Sequence, residues 1–176
     1  MTHPSPVTGA CAFALTLAVQ LACSSPPQNA DWPINGGPGN ARYSPLTQIT
    51  RENVSQLQVA WTYDSKDAFA ASEMQSNIIV VDGVAYATTP TMKVVAVNAA
   101  TGLELWRFDP SGGSTTRTRF RHRGVTVHAD RVFVTYRNFL WSLDKKTGQP
   151  VPSFGTEGRI DLRQGLQLGI GPDDEQ

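Results

Sequence analysis

Beyond residue 23 this 176-residue chain has no cysteine, because Cys11 and Cys23 are its only two. A disulfide framework is therefore excluded for the remainder of the chain. The chain also has no net charge, with 15 Lys and Arg residues against 15 Asp and Glu residues. General nucleic-acid binders carry a basic excess, so this balance predicts no nucleic-acid partner. With 40% hydrophobic and 17% charged residues, the composition is that of an ordinary globular domain.

Charge is nearly missing from the first thirty residues, in which His3 is the only side chain able to carry one. An apolar run from Ala10 to Cys23 lies in this part of the chain. The run is too short to span a bilayer as a free helix, but it suits the apolar core of a secretion signal. We therefore predict a secretion signal over residues 1–23, a short linker over 24–30 and a periplasmic location.

The end of the apolar run suggests a lipid modification. Leu21-Ala22-Cys23, followed by Ser24-Ser25, resembles a bacterial lipoprotein cleavage site, although Gln20 stands where that pattern prefers Leu. In that case Cys23 would carry the lipid and anchor the protein to the membrane. The alternative is cleavage nearby and a soluble secreted product.

The middle of the chain repeats a pattern of short β-branched and aromatic runs. The two Thr-Gly pairs, Thr101-Gly102 and Thr147-Gly148, lie 46 residues apart. Asp, Asn or Gly bounds each run, which predicts β-hairpins instead of helices. The runs are IIVVDGVAYAT (78–88), VVAVNAATGLELWRF (94–108), VTVHADRVFVT (125–135) and FLWSLDKKTGQPVPSF (139–154). In NAATG and DKKTG the first side chain can cap its own turn, and the closing Gly supplies a positive φ.

An all-strand period of about 40–50 residues predicts the blades of a β-propeller. Residues 24–176 hold about three such periods, whereas a propeller closes with at least four blades. The predicted fold class is therefore all-β, a partial β-propeller of about two to three blades. A further strand is predicted around Trp61, ahead of the first repeat. The alternative is a plain antiparallel meander whose two hairpins happen to be alike.

Several motifs in order resemble one family, the PQQ-dependent quinoprotein dehydrogenases, and most of all its glucose- and polyol-oxidising branch. They are DWPINGGPGNARYSPLTQITRENVSQLQVAWTY, SEMQSNIIVVDGVAYATTPTMKVVAVNAATGLELWRFDP, RGVTV and TGQPVPSFGTEGRIDLRQGL. The resemblance implies an eight-bladed propeller with pyrroloquinoline quinone (PQQ) and calcium near its axis. It identifies residues 31–166 as N-terminal blades and leaves 167–176 as a divergent tail.

The same resemblance implies a function. This chain is expected to be the N-terminal part of an exported dehydrogenase that oxidises a sugar or alcohol hydroxyl and passes electrons to a quinone or cytochrome. The calcium ligands, the catalytic Asp and the stacking Trp of the family are expected outside this chain, beyond Leu166. We therefore expect no catalytic or metal-binding residue here and no activity of the chain alone. The absence of an adjacent cysteine pair, which related alcohol enzymes stack against the cofactor, argues against methanol as substrate.

Candidate cofactor residues lie in two stretches. In TTRTRFRHRGV, four arginines alternate at positions 117, 119, 121 and 123, and a guanidinium can grip a carboxylate with two parallel hydrogen bonds. The resemblance places a cofactor-binding arginine at Arg123, and Gly124 would let the backbone approach closely. In SEMQSN, Gln75 stands where related enzymes use an acid, with Asn77 nearby. The alternatives are a solvated basic strand and an ordinary turn before IIVV.

A second function remains open from the sequence. Lipoprotein scaffolds that share these repeats are non-catalytic propellers and bind other envelope proteins. They need no cofactor arginine, but their lipoprotein start resembles this one.

Overall fold

The computed structural model describes residues 31–114 and 121–165. The predicted secretion signal and linker, Cys23, Arg117, Arg119 and the predicted tail lie outside these residues. The described residues form eight β-strands and two short 3-10 helices, without any α-helix. The 3-10 helices are Pro38–Asn40 and Val54–Gln56; the strands are β1 (Ile79–Val81), β2 (Val84–Thr88), β3 (Val94–Asn98), β4 (Glu104–Phe108), β5 (Thr126–His128), β6 (Arg131–Tyr136), β7 (Phe139–Asp144) and β8 (Arg159–Asp161). In the described ranges, no helix has the length and apolar character needed to cross a membrane.

The strands form two antiparallel sheets of four, in which each strand pairs with the next one along the chain. The first sheet contains β1 to β4 and the second contains β5 to β8. Three of the four predicted hairpins form, namely β1–β2, β3–β4 and β5–β6. In the fourth run, 139–154, β7 is not followed by a second strand: a single bridge joins Leu143 to Pro150, and β7 pairs with β8 further along the chain. Two consecutive four-stranded meanders agree with the predicted all-β class and with the blade as the repeating unit.

The Thr-Gly turns form as the sequence predicts. Asn98 Oδ1 accepts hydrogen bonds from the backbone N–H groups of Ala100 and Thr101, both at 3.0 Å. Asp144 Oδ1 accepts the corresponding bonds from the backbone of Lys146 at 3.0 Å and Thr147 at 2.8 Å. The glycines that close the two turns, at 102 and 148, have φ of 75° and 70°. Asn and Asp therefore cap the two turns with the same pair of backbone hydrogen bonds.

Trp106 joins the first sheet to the second. Its Nε1 donates a hydrogen bond of 3.0 Å to the carbonyl of Lys145. Its ring lies on Gly148, where an added Cβ would come within 2.4 Å of the indole. Trp106 is 8% exposed and also contacts Tyr86, with ring centroids 6.0 Å apart. Trp106 of the first sheet therefore packs directly on Gly148, the glycine that closes the turn in the second sheet.

Trp61 repeats this arrangement one unit earlier. Its Nε1 donates to the carbonyl of Ala99 at 3.1 Å, and its ring lies within 2.7 Å of a Cβ added at Gly102. The prediction of a strand around Trp61 is wrong, because the structure assigns none there. The stretch has no neighbouring strand among the described residues to pair with, and the tryptophan is held by its turn contact instead.

The main core lies between the two sheets. Side chains from both sheets form one cluster, in which Phe108 meets Trp141 edge to face at 5.1 Å. The buried members are Ile79, Tyr86, Val94, Ala96, Trp106, Val132, Val134, Trp141 and Leu143. A smaller cluster on the other face of the first sheet is Ala87, Val95 and Val97, with Trp61 and Tyr63 packed against it. Face-to-face stacking of sheets supplies the core, as in repeat architectures generally.

Candidate functional site

A cavity of about 470 Å³ opens where the chain enters the first strand of each sheet. Three separate segments contribute to its wall, one from the N-terminal part of the chain, one just before β1 and one at the start of β5. The lining residues are Pro33, Ile34, Asn35, Asn77, Arg123, Gly124, Val125 and Thr126. Three of the four predicted cofactor residues, Asn77, Arg123 and Gly124, thus come together at one cavity.

The N-terminal segment is fixed by pairing with β1. Trp32 and Val80 exchange two backbone hydrogen bonds of 2.8 and 2.9 Å. The backbone N–H of Asp82 donates to Asp31 Oδ1 at 3.1 Å. The Trp32 ring also lies on Gly37, where an added Cβ would be 2.6 Å from the indole. These contacts hold the residues directly after Trp32 at the cavity wall.

The segments before β1 and β5 touch through their backbones. The N–H of Asn77 donates to the carbonyl of Arg123 at 3.0 Å. Gly124 has a φ of 108°, and a Cβ added there would lie 2.6 Å from the carbonyl oxygen of Asn77. Only glycine fits both the conformation and the contact. The close approach predicted for Gly124 is thus made to the neighbouring segment of the protein.

The side chain of Arg123 is exposed at the cavity. It makes no hydrogen bond or ion pair to any other described residue. Arg121, two positions earlier, instead pairs with Glu73 at 3.7 Å and is 71% exposed. Of the two described arginines in the alternating run, the structure therefore leaves Arg123 able to bind an anion with its whole guanidinium.

Gln75 lies apart from the cavity lining. Its Nε2 donates a hydrogen bond of 2.7 Å to Glu73 Oε2. Because Glu73 also pairs with Arg121, these three side chains connect the segment before β1 to the segment before β5. Contact of Gln75 with a cofactor stays a prediction.

His122 is half-buried beside the cavity arginine. Its Nδ1 accepts a hydrogen bond of 3.1 Å from the N–H of Gly124, and its Nε2 lies 3.1 Å from Thr135 Oγ1 on β6. Burial lowers the pKa of His122 below its ordinary value, and the contact with Thr135 opposes this in part. The ring is therefore neutral at pH 7.

The family model for the β-propeller domain of PQQ-dependent glucose/ethanol/alcohol dehydrogenases matches residues 32–174. The chain belongs to this family. The match confirms the family predicted from the motifs, and it identifies the two sheets as blades of a PQQ-type propeller. The plain meander is thereby excluded. The glucose- and polyol-oxidising branch stays a prediction.

Individual relatives agree with the family match. The chain is 34% identical over 137 residues to 1-butanol dehydrogenase (cytochrome c) of Thauera butanivorans, covering 74% of this chain and 19% of the relative. It is 41% identical over 120 residues to the dehydrogenase subunit of alcohol dehydrogenase (quinone) of Gluconobacter oxydans, covering 65% and 16%. The structure of quinohemoprotein alcohol dehydrogenase from Comamonas testosteroni superposes with a TM-score of 0.63 at 28% identity, covering 79% and 20%. The chain spans about a fifth of the length of these relatives.

PQQ is the cofactor of this family, and the residues at the cavity suit it. PQQ carries three carboxylates, and the guanidinium of Arg123 offers donors in a planar fork that matches a carboxylate. Asn77 adds an amide group that can donate and accept hydrogen bonds. A volume of about 470 Å³ lies within the usual range for small-molecule sites. The donors present therefore fit an anionic, oxygen-rich ligand.

The predicted calcium is not tested by this part of the chain. No group of three or more His, Cys, Asp or Glu residues within 31–114 and 121–165 is placed to hold a metal ion. The prediction that the calcium ligands lie outside the chain stays a prediction.

Two contributors to the site were not predicted from the sequence. The first is the stretch from Pro33 to Asn35, which the following glycine pair, with φ of 84° and 73°, ends in a tight turn. His122 was likewise not predicted to take part, because it lies six residues from His128 with no Asp, Glu or Cys nearby that would complete a set of metal ligands. The polar Asn35 before two glycines was the one available signal for the first contributor, and only coordinates reveal the second.

Proposed function

We propose that this chain supplies one wall of the PQQ site of an exported dehydrogenase that oxidises a hydroxyl group of an alcohol or sugar. The observation that carries the proposal is the exposed guanidinium of Arg123 at the cavity, with no other described residue to pair with. Membership of the family makes PQQ the ligand to expect there. The scaffold alternative gives no role to an arginine that lies at a cavity and pairs with no other described residue.

The residues divide the work of binding. Arg123 would pair with a carboxylate of PQQ, and its backbone is held by Asn77 so that the side chain leaves from a fixed point. Asn77 would offer its amide beside the same ligand. Gly124 keeps the two segments close enough for both side chains to reach one cavity. The bound quinone would supply the two-electron chemistry that converts a hydroxyl group to a carbonyl group.

The remaining parts of the proposal follow from the sequence and from the relatives' names. Electrons would pass to a cytochrome or a quinone, the two acceptors named for the relatives. Residues 1–23 would direct the protein to the periplasm, with Cys23 as the site of an additional lipid anchor. Calcium would accompany PQQ, with its ligands expected outside this chain.

Titration with PQQ tests the proposal directly. The 176-residue protein is titrated with PQQ, with and without calcium, and binding is followed by the absorbance of the quinone. We expect saturable binding that Arg123→Ala weakens by about 10- to 100-fold, because a charge-assisted bidentate contact contributes about 1.5–3 kcal/mol. Arg123→Lys should be intermediate, since it keeps the charge and loses the fork.

Arg51→Ala is the matched control. Arg51 is also exposed, but it lies in the turn before the second 3-10 helix and does not line the cavity. Its loss should leave the affinity for PQQ unchanged. If Arg51→Ala and Arg123→Ala weaken binding equally, the effect is due to net charge and not to a specific contact. If the wild-type protein shows no saturable binding, a PQQ site at this cavity is contradicted.

A further inference from the structure

The peptide group between Arg123 and Gly124 is hydrogen-bonded at both its carbonyl and its N–H. On one side, the carbonyl of Arg123 accepts the N–H of Asn77 at 3.0 Å. On the other, the N–H of Gly124 donates to His122 Nδ1 at 3.1 Å. Gly124 has a φ of 108°, a region that glycine can leave freely for many other conformations. The turn therefore depends on these two hydrogen bonds and not on intrinsic backbone preference.

The hydrogen bonds of the ring settle its tautomer. Nδ1 accepts from the N–H of Gly124, so Nδ1 carries no proton. In the neutral ring the proton is then on Nε2, which donates to Thr135 Oγ1 at 3.1 Å. A protonated ring has two N–H donors and no acceptor, so the bond to Gly124 would be replaced by a repulsive contact between two N–H groups. Thr135, by contrast, can accept a bond in either state.

We propose that His122 is a positioning residue for the cofactor arginine, holding the Arg123–Gly124 turn in its binding geometry only while the imidazole is neutral. This inference rests on the proposed function, in which Arg123 binds a carboxylate of PQQ. Protonation of His122 removes one of the two anchors of the turn and lets the direction of the Arg123 side chain vary. Affinity for PQQ then falls as the solution becomes acidic.

Charged groups near His122 determine how PQQ affinity would change with pH if the histidine acted only through its charge. Arg121 and Arg123 flank His122 on its own segment, Glu73 pairs with Arg121 from the segment before β1, and Arg137 follows Thr135 by two residues on the β6 side. A purely electrostatic role for His122 would make acid strengthen PQQ binding, because a protonated ring adds positive charge beside Arg123. A positioning role makes acid weaken it. The two roles therefore predict opposite pH dependences.

The first test needs no cofactor. The ¹⁵N–¹H correlation spectrum of the imidazole in the 176-residue protein should show Nε2 protonated and Nδ1 unprotonated at neutral pH. The amide of Gly124 should be protected from hydrogen exchange in wild-type protein and exposed in His122→Phe, which keeps an aromatic ring but has no acceptor. An Nδ1–H tautomer, or equal protection in both proteins, would overturn the inference.

The second test compares pH profiles of PQQ affinity. His122→Asn places an amide oxygen where Nδ1 stood, and that oxygen accepts from Gly124 at every pH. Between about pH 8 and about pH 5, where histidine titrates, wild-type protein should lose about tenfold in affinity beyond any loss seen in His122→Asn. His122→Phe should bind about tenfold more weakly than wild type at the upper end. Parallel profiles for wild type and His122→Asn, or tighter wild-type binding in acid, would refute the positioning role.

The two tests also separate this inference from the proposed function. A wild-type protein with the expected tautomer and a protected Gly124 amide, but with no PQQ binding at any pH, contradicts the proposed function and leaves the anchored turn established. Binding that requires Arg123 but ignores every change at His122 supports the proposed function and overturns the inference.

Discussion

The two sheets share their strand order, their turns and the tryptophan that packs on a glycine, yet they differ in how evenly their strands are buried. In the first sheet, β2 and β3 are buried along nearly their whole length. In the second sheet, β6 alternates, with Val132 and Val134 buried and Phe133 and Thr135 more exposed. The first sheet packs against the second on one face and against Trp61 and Tyr63 on the other.

This difference shows that the burial of a strand depends on its neighbours as well as on its own residues. Val95 and Val97 of β3 are 2% and 4% exposed because the segment around Trp61 covers them. Phe133 of β6 is more exposed than these valines, although Phe154 meets it at 5.7 Å and Ser142, opposite it on β7, is fully buried. In stacked repeats each interface contributes its own stability, so the two sheets should respond unequally to equivalent changes.

Replacing Trp106 and Trp61, the two tryptophans that pack on turn glycines, should show the largest difference between the two interfaces. Trp106→Ala should cost about 3–5 kcal/mol of unfolding free energy, because it leaves a cavity in the core between the sheets and removes the bond to Lys145. Trp61→Ala should cost about half as much, since Trp61 is only partly buried. Urea unfolding followed by far-ultraviolet circular dichroism gives both values without relying on tryptophan fluorescence.

Trp106→Phe serves as the control for the Trp106 change. It keeps most of the apolar packing and loses the indole N–H, so it should cost less than Trp106→Ala. Equal losses for the Trp106→Ala and Trp61→Ala variants would show that the interface between the two sheets is no stronger than the cover over the first.

The glycine beneath Trp106 gives a smaller effect with a well-matched control. Gly148→Ala and Gly83→Ala place alanine at similar backbone conformations, with φ of 70° and 74°. The Cβ at position 148 would lie 2.4 Å from the Trp106 ring, whereas the Cβ at position 83 meets nothing within 4 Å. We expect about 1 kcal/mol of destabilisation from backbone strain alone at position 83, and about 2–4 kcal/mol at position 148, where the tryptophan must also move.

Thermal unfolding of the two alanine variants measures this difference. If the Gly83 and Gly148 variants lose the same stability, the contact between turn and tryptophan does not limit the packing of one sheet on the next. Any difference in stability between the two sheets would then have to come from the apolar core alone.

Much of the fold could be predicted because its signals are local. Alternating runs and Asx-Gly turns specify hairpins within one repeat, and the 46-residue spacing of the Thr-Gly pairs specifies equivalent units. The prediction of a strand around Trp61 was wrong, because a strand needs a neighbouring strand to pair with and the described residues supply none there. The sequence around Trp61 looks like that around Trp106; only the tertiary context separates the two.

The candidate site could be predicted in part, through its most unusual residue. A run of alternating arginines together with the family resemblance pointed to Arg123, and the adjacent glycine suggested a tight contact. The role of His122 and the place of Asn35 could not be found this way, because both depend on which distant segments meet. The N-terminal segment reaches the cavity because Trp32 pairs with Val80. No local sequence pattern predicts this pairing.

The smallest expected effect concerns the side chains that cap the two turns. Asp144 has a pKa below its ordinary value, chiefly because the N–H and hydroxyl of Thr147 donate to it. The uncharged Asn98 accepts two backbone bonds at the equivalent place. Asn98→Asp should therefore stabilise the first turn by about 0.5 kcal/mol at neutral pH, since N–H bonds to a charged acceptor are stronger.

Acid should remove the advantage of either carboxylate. A carboxyl whose pKa is depressed by folding adds stability above its unfolded value, near about pH 4, and loses it as the pH falls through the lower native value. Melting temperatures measured at about pH 7 and about pH 3 should thus show the gain of Asn98→Asp only at the higher pH, and Asp144→Asn should lower the melting temperature mainly there. If Asn98→Asp still raises the melting temperature in acid, the charge of the carboxylate is not the cause of the stabilisation.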